Sequence, residues 1–129
     1  YIFKNGSEKY QVTDKNLITV LNEDGLNLKY INCGSSNKIM QEREQWTDGA
    51  NAFTLAPGKI IGYDCNDYTL KELEGAGYEL ITSDDYIDNY SKYNKSDKKF
   101  VITIRGSELL RGRGGPRCLT LPIFRLENE

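Results

Sequence analysis

The chain of 129 residues contains no histidine, one tryptophan, one methionine and three prolines. The missing histidine matters most, because an imidazole is the usual proton acceptor beside a catalytic cysteine and a common metal ligand. No apolar run approaches the roughly 20 residues that cross a bilayer, and the first ten residues lack the basic-then-apolar order of a signal peptide. These absences predict a soluble, cytoplasmic protein without a membrane partner.

An excess of charge of one sign is also lacking, since 17 basic and 19 acidic residues leave a formal charge of -2. Such a chain has no global basic field for nucleic acid, so any anion site must be local. The three cysteines, Cys33, Cys65 and Cys118, are an odd number without metal-ligand spacing. We therefore expect reduced thiols in a single domain, with no disulfide framework, no metal and no nucleic-acid partner.

Two stretches of the chain share the order strand, strand, helix, strand. In the first, at about residues 1–33, Asn5-Gly6 is typical of a two-residue hairpin turn. A short helix with one apolar face follows and ends at Gly25. The alternation of apolar and polar residues over 26–33 then predicts a half-buried strand.

The same order returns at about residues 52–82. Pro57-Gly58 predicts the hairpin turn, the candidate helix caps are Asn66, Asp67 and Thr69, and a glycine stop precedes another strand. Repeated ββαβ modules cannot usually bury their apolar faces alone, so a chain with about two copies is typical of part of a larger ring or stack. The fold class predicted is α/β.

The remaining segments carry weaker signals. Residues 34–51 predict a connecting loop with one helical turn. Residues of about 83–99 mix acids, lysines and tyrosines without a steady apolar period, which indicates a surface insertion formed by a solvated loop or a polar helix. The chain then resumes, over about 100–125, with a buried strand, a glycine-rich loop and a last strand.

The glycine-rich loop, LLRGRGGPRC, places Arg111, Arg113 and Arg117 before Cys118. An arginine on such a loop presents a planar donor fork that matches a carboxylate or phosphate, and nearby positive charge favours the thiolate form of a cysteine. The alternative is that the arginines stay solvated and Cys118 is a small buried apolar residue. A phosphate-binding P-loop is disfavoured, because the Lys-Ser/Thr ending is missing and a strand, not a helix, is expected next.

The run GSELLRGRGGPRCLTLP closely resembles the C-terminal signature of arginine deiminases, and REQWTDGAN followed by LAPGKIIGYDCNDYT resembles a second stretch of that family in the correct order. Together the two stretches cover most of the chain from about Glu42 onward. The resemblance implies the pentein fold, a five-bladed α/β propeller of ββαβ modules. It also implies hydrolysis of L-arginine to L-citrulline and ammonia through a covalent cysteine intermediate, in arginine catabolism and without a cofactor.

By matching motif positions, Cys118 would attack the guanidinium carbon, and Arg113 would bind the substrate's α-carboxylate with help from the Gly112 backbone. The family's histidine and guanidinium-binding acids lie upstream of the matched region, and this chain has no histidine. We therefore expect the C-terminal part of a pentein catalytic domain, incomplete and inactive alone. Its partners would be L-arginine, the remaining N-terminal part of the enzyme and further copies of itself.

Two alternatives remain open. The chain could be a truncated or degenerate pentein segment that binds arginine or partner chains without catalysis, or a redox module in which Cys118 pairs with Cys33 or Cys65. Among other residues, Trp46 is expected to be a packing anchor, and Cys33 and Cys65 to be buried or bystander thiols. The charged cluster Glu42 to Glu44 is interpreted as surface or interface ion pairs in preference to a substrate channel.

Overall fold

The computed structural model of the chain describes residues 2–3 and 10–124, with side chains from residue 12 onward. It divides into two compact units, Tyr1–Tyr30 and Ile31–Glu129. Within the described residues, no helix is long and apolar enough to cross a membrane.

The first unit contains the short antiparallel strands β1 (Ile2–Phe3) and β2 (Tyr10–Gln11) and the helix α1 (Leu17–Glu23). The turn predicted at Asn5-Gly6 lies outside the described residues. Helix α1 begins where the side chain of Asn16 accepts a hydrogen bond of 2.9 Å from the backbone N–H of Thr19, the usual way to satisfy a free amide at a helix start.

The strand predicted over residues 26–33 is wrong, because this stretch forms no strand. A strand needs a partner for its backbone groups, and here the side-chain amide of Asn22 takes that place. It donates to the carbonyl of Leu28 at 3.1 Å and accepts from the N–H of the same residue. Alternating apolar residues of this stretch are left exposed, among them Leu26 and Tyr30.

The second unit is built on a four-stranded mixed sheet in the order β3-β4-β6-β5, which confirms the α/β class. Its strands are β3 (Phe53–Ala56), β4 (Lys59–Tyr63), β5 (Glu79–Thr82) and β6 (Phe100–Ile104). Strands β3 and β4 form an antiparallel hairpin, whereas β6 runs parallel to both β4 and β5. Strand β6 lies between β4 and β5 and is almost continuously apolar, and its consecutive residues Phe100, Val101 and Ile102 are all buried, as expected for a strand covered on both faces.

In the part of the second unit that the structure describes, four helices accompany the sheet: α2 (Lys38–Trp46), α3 (Asp67–Gly75), α4 (Ser83–Asp88) and α5 (Tyr90–Asn94). Helix α2 occupies half of the stretch 34–51, which was predicted as a loop with one helical turn. Its start is fixed by the side chain of Asn37, which accepts hydrogen bonds from the N–H groups of Ile39 and Met40. With few apolar residues, α2 lacks the periodicity by which helices are recognised in a sequence.

The segment predicted as a solvated insertion, 83–99, contributes to the core, so that prediction is wrong in part. The ring of Tyr93 is buried and meets Phe100 edge to face at 5.5 Å between centroids, and Tyr86 packs against the same cluster. The Tyr93 hydroxyl donates to Asp85, and this hydrogen bond raises the pKa of Tyr93 to about 12. Tyrosine can bury its ring while its hydroxyl stays paired, so a polar sequence pattern can still supply core.

After β6 the chain forms a single 3₁₀ turn, Leu109–Gly112, and a further turn over 116–119. The last strand, predicted to follow Cys118, does not form within residues 118–124, so this prediction is also wrong for the part that the structure describes. Its apolar side chains are exposed, with Ile123 at 94%. An apolar alternation produces a strand only where a sheet edge receives it.

Candidate active site

The glycine-rich loop lies over the end of the sheet, against Tyr63 at the last position of β4. An added Cβ at Gly106 would lie only 2.2 Å from the Tyr63 ring, so a glycine is needed where the chain crosses this ring. The Tyr63 hydroxyl donates to the carbonyl of Gly114 at 3.0 Å. Burial raises the pKa of the Tyr63 hydroxyl, and the nearby charges of Asp48, Cys65 and Cys118 raise it further.

The connection between α2 and β3 holds the other side of this loop. A carboxylate oxygen of Asp48 accepts a hydrogen bond of 3.1 Å from the N–H of Gly114. Arg113 and Gly114 both have positive φ, 62° and 123°. An added Cβ at Gly114 would also approach the Cβ of Cys118 to 3.1 Å. A glycine is therefore favoured at position 114 for two reasons: it adopts the positive φ without strain, and it leaves room for the Cβ of Cys118. Both features fix where the chain turns toward the cysteine.

Cys118 is exposed, and its sulfur is contacted by a side chain distant in the sequence. The Nδ2 group of Asn51 donates to Sγ at 2.9 Å. The carbonyl of Asn51 accepts from the N–H of Arg117 at 3.3 Å, and the N–H of Cys118 bonds to the carbonyl of Gly115 at 2.9 Å. Asn51 lies in the stretch REQWTDGAN, but no local pattern in the sequence singled it out.

The three arginines of the loop have different surroundings. The guanidinium carbon of Arg113 lies 3.8 Å from the centroid of the Trp46 ring, a close cation–π contact. Trp46 is 63% exposed and therefore is not the packing anchor expected. Arg111 pairs with Glu108 at 3.5 Å, and Arg117 donates to the side chain of Thr120 at 3.3 Å.

Gly112, which was expected to assist Arg113, ends the 3₁₀ turn. An added Cβ at this position would meet nothing within 4 Å. Packing within the described part of the chain therefore does not require a glycine at position 112.

Glu44 is fully buried, so the interpretation of residues 42–44 as surface ion pairs is wrong for this residue. Its carboxylate accepts from the N–H of Tyr68 at 2.9 Å and from the N–H and hydroxyl of Thr69 at 2.7 and 2.6 Å. These donors belong to the first turn of α3, where a negative charge is favourable. The same two helix ends are joined a second time: the Thr47 hydroxyl donates to the side-chain oxygen of Asn66, and the Asn66 amide donates to the backbone carbonyl of Thr47 at 3.0 Å.

The other two thiols lie in different surroundings from Cys118. The sulfur of the half-buried Cys33 lies 3.5 Å from the Thr69 hydroxyl oxygen, whose hydrogen is donated to Glu44. Burial, followed by the charge of Asp64, raises the pKa of the half-buried Cys65 thiol. All three cysteines are free. Within the described residues, no group of three or more histidine, cysteine or acidic side chains could hold a metal ion.

A surface groove of about 570 Å³ adjoins the cysteine loop. Arg117 contributes to its lining, whereas Cys118 and Arg113 do not; the lining consists of Ala52, Phe53, Thr54, Arg117, Thr120, Leu121, Pro122 and Phe124. The groups available for chemistry at the site are therefore an exposed thiol beside an amide donor and a guanidinium on the same loop.

Comparison with known proteins identifies the family that this chain matches. A family model described as "Arginine deiminase" matches residues 3–84 and 85–125. The arginine deiminase of Streptococcus gordonii is 43% identical over 97 residues, which are 75% of this chain and 19% of that protein. That of Mycoplasma capricolum is 39% identical over 112 residues, 86% of this chain and 23% of that protein. The chain thus spans about a fifth of the length of these curated relatives.

Proposed function

Because the chain belongs to the arginine deiminase family, we propose that it is the nucleophile-bearing C-terminal part of an enzyme that hydrolyses L-arginine to L-citrulline and ammonia. The observation that carries the proposal is the exposed Cys118 thiol, which lies beside an amide donor at the end of the arginine-glycine loop and within the region matched by the family.

In the proposed reaction, the Cys118 thiolate attacks the guanidinium carbon of arginine. A carbon–sulfur bond forms, a carbon–nitrogen bond breaks, and the departing nitrogen takes a proton and leaves as ammonia. Water then attacks the same carbon, the carbon–sulfur bond breaks, and citrulline and the thiol are released. A guanidinium is a poor electrophile, so the reaction needs positioned acids that hold its nitrogens. Because the chain has no histidine, a histidine proton acceptor would have to come from another part of the enzyme.

Arg113 would bind the α-carboxylate of the substrate, helped by the backbone of Gly112. Among the described residues Arg113 forms no ion pair, and its guanidinium lies on the exposed face of Trp46. A bidentate guanidinium–carboxylate contact is stronger than a cation–π contact at an exposed site. A substrate carboxylate could therefore draw Arg113 away from the indole ring.

The complete site would require more chain than these 129 residues. The α/β unit over 31–129 would form part of a five-bladed pentein propeller, and the remaining N-terminal part would supply the guanidinium-binding acids and the proton acceptor. The exposed apolar residues 119–124 support this proposal, because a missing sheet edge would cover them. The chain alone would then be inactive and would associate with that part or with copies of itself.

The test is citrulline release from L-arginine by this chain and by the complete enzyme that includes its N-terminal part. We expect turnover only by the complete enzyme, its loss in Cys118→Ala, and its retention in the matched thiol variant Cys65→Ala. Turnover that survives Cys118→Ala would refute the nucleophile. A complete enzyme that binds arginine without releasing citrulline would instead indicate a degenerate, binding-only protein.

A further inference from the structure

Asn51 is held tightly against the cysteine loop by contacts of its main chain and its side chain. Its N–H donates to the carbonyl of Asp48 at 3.0 Å, and its own carbonyl accepts from Arg117. On its side-chain face, Gly115 packs so closely that an added Cβ would lie 2.5 Å from the Cβ of Asn51. These contacts leave the amide group directed at the sulfur of Cys118, 2.9 Å from Nδ2.

The side-chain amide nitrogen of asparagine can only donate a hydrogen bond, and a sulfur accepts a hydrogen bond far better as a thiolate than as a thiol. Neither neighbouring arginine takes this place, because Arg113 stacks on Trp46 and Arg117 bonds to Thr120. Among the described residues, the side chain that donates to the Cys118 sulfur is that of Asn51.

We infer that Asn51 is a catalytic residue of the proposed reaction: its side-chain N–H donates to Cys118, stabilises the thiolate and orients it for attack. The inference rests on the proposed function for its catalytic meaning. The pairing itself belongs to this chain, since both residues and all the contacts that hold them lie within one compact unit.

The experiment measures the alkylation rate of Cys118 by iodoacetamide at neutral pH in the 129-residue chain, peptide by peptide, by mass spectrometry. Asn51→Ala removes the donor, and Asn51→Asp replaces it with a charged acceptor of the same shape. Asn94→Asp, at an exposed position, controls for the added charge. Cys33 and Cys65 in the same molecule serve as internal references.

Loss of a charge-assisted hydrogen bond lowers the thiolate population about tenfold, and the greater nucleophilicity of a more basic thiolate returns about threefold of that rate. We therefore expect Cys118 to react about threefold more slowly in Asn51→Ala and about tenfold more slowly in Asn51→Asp, with no change in Asn94→Asp. An unchanged Cys118 rate in Asn51→Ala overturns the inference.

A second measurement applies if the Asn51 variants fail to fold, which faster alkylation of the half-buried Cys33 and Cys65 would reveal. In the native sequence, unfolding by urea should slow Cys118 about threefold while it speeds the other two thiols. Faster alkylation of Cys118 on unfolding would equally overturn the inference.

Citrulline assays of the complete enzyme separate this inference from the proposed function. Asn51→Ala should lower kcat about tenfold and change the KM for arginine little. If alkylation depends on Asn51 but no citrulline forms, the proposed function fails and the pairing stands. If turnover requires Cys118 while Asn51→Ala has native alkylation and kcat, the role of Asn51 fails and the proposed function stands.

Discussion

Replacement of Glu44 by glutamine should destabilise the second unit strongly, although it changes a single atom type. Glu44 is fully buried, and its two carboxylate oxygens accept three hydrogen bonds from the first turn of α3. A glutamine keeps only one of those oxygens. Whichever way its amide turns, an NH2 group faces the N–H of Tyr68 or of Thr69, so at least one buried donor loses its partner.

The magnitude follows from two contributions. A buried donor left without an acceptor costs about 1–3 kcal/mol. Loss of a negative charge at the start of a helix costs about 1 kcal/mol more. We therefore expect Glu44→Gln to lower the free energy of unfolding by about 2–4 kcal/mol, a large part of the stability of an ordinary domain.

The assay is urea unfolding followed by circular dichroism, together with amide hydrogen exchange at Tyr68 and Thr69. Glu42→Gln is the matched control, because Glu42 is exposed on the same helix and its substitution should change stability by less than about 0.5 kcal/mol. Equal effects of the two substitutions, or unchanged exchange at Tyr68 and Thr69 in Glu44→Gln, would refute the reasoning.

Three further predictions concern the core, the loop and the substrate. The hydrogen bond to Asp85 raises the pKa of Tyr93 from 10.0 to about 12. The contribution of this bond to stability is therefore complete below pH 10 and declines as the pH rises toward 12, because the unfolded chain loses the phenolic proton first. Urea unfolding across that range should show a shrinking difference in stability between Tyr93→Phe and the native chain, and a constant difference would contradict the prediction. Gly106→Ala should cost about 1–3 kcal/mol, since its Cβ would meet the Tyr63 ring at 2.2 Å, whereas Gly75→Ala, with open space around it, should leave stability equal or higher in the same unfolding assay. Arg113→Ala in the complete enzyme should raise the KM for L-arginine at least about tenfold while sparing agmatine, which has no α-carboxylate; equal loss for both substrates would exclude a carboxylate contact.

The sheet hairpin and helix α3 could be anticipated because their signals are local. Gly58 takes a positive φ of 73° at the predicted turn, and α3 begins directly after Asn66, although the Asn66 side chain bonds to Thr47 and makes no capping hydrogen bond. Strands were also expected over 26–33 and after Cys118 from their apolar patterns, yet within the described residues neither stretch forms a strand. Alternation records which side chains could share a face, but a strand also needs a neighbour to accept its backbone, and no pattern within the stretch carries that information.

The burial of Glu44 and the contact of Asn51 with Cys118 could not be predicted from local charge and polarity either. Glu44 directly follows two exposed charged residues, Glu42 and Arg43, and its burial depends on donors about 25 positions later in the chain. The contact of Asn51 with Cys118 spans 67 positions. Such contacts are decided by how elements pack, so the residue types could suggest a reactive cysteine while the amide that touches it stayed unnoticed.

A series of hydrogen bonds in the second unit connects helix α3 with Cys118. Helix α3 fixes the end of α2 through Glu44 and Thr47, and the residues that follow α2 then reach the cysteine loop, Asp48 at Gly114 and Asn51 at the sulfur. The two stretches that carry the family resemblance are thus in contact within one compact unit, although they lie far apart in the sequence. The buried carboxylate of Glu44 consequently bears on the nucleophile without touching it. A loosened α2 end should weaken the Asn51 contact, so Glu44→Gln should slow Cys118 alkylation under conditions where the unit is still folded, while Glu42→Gln should not.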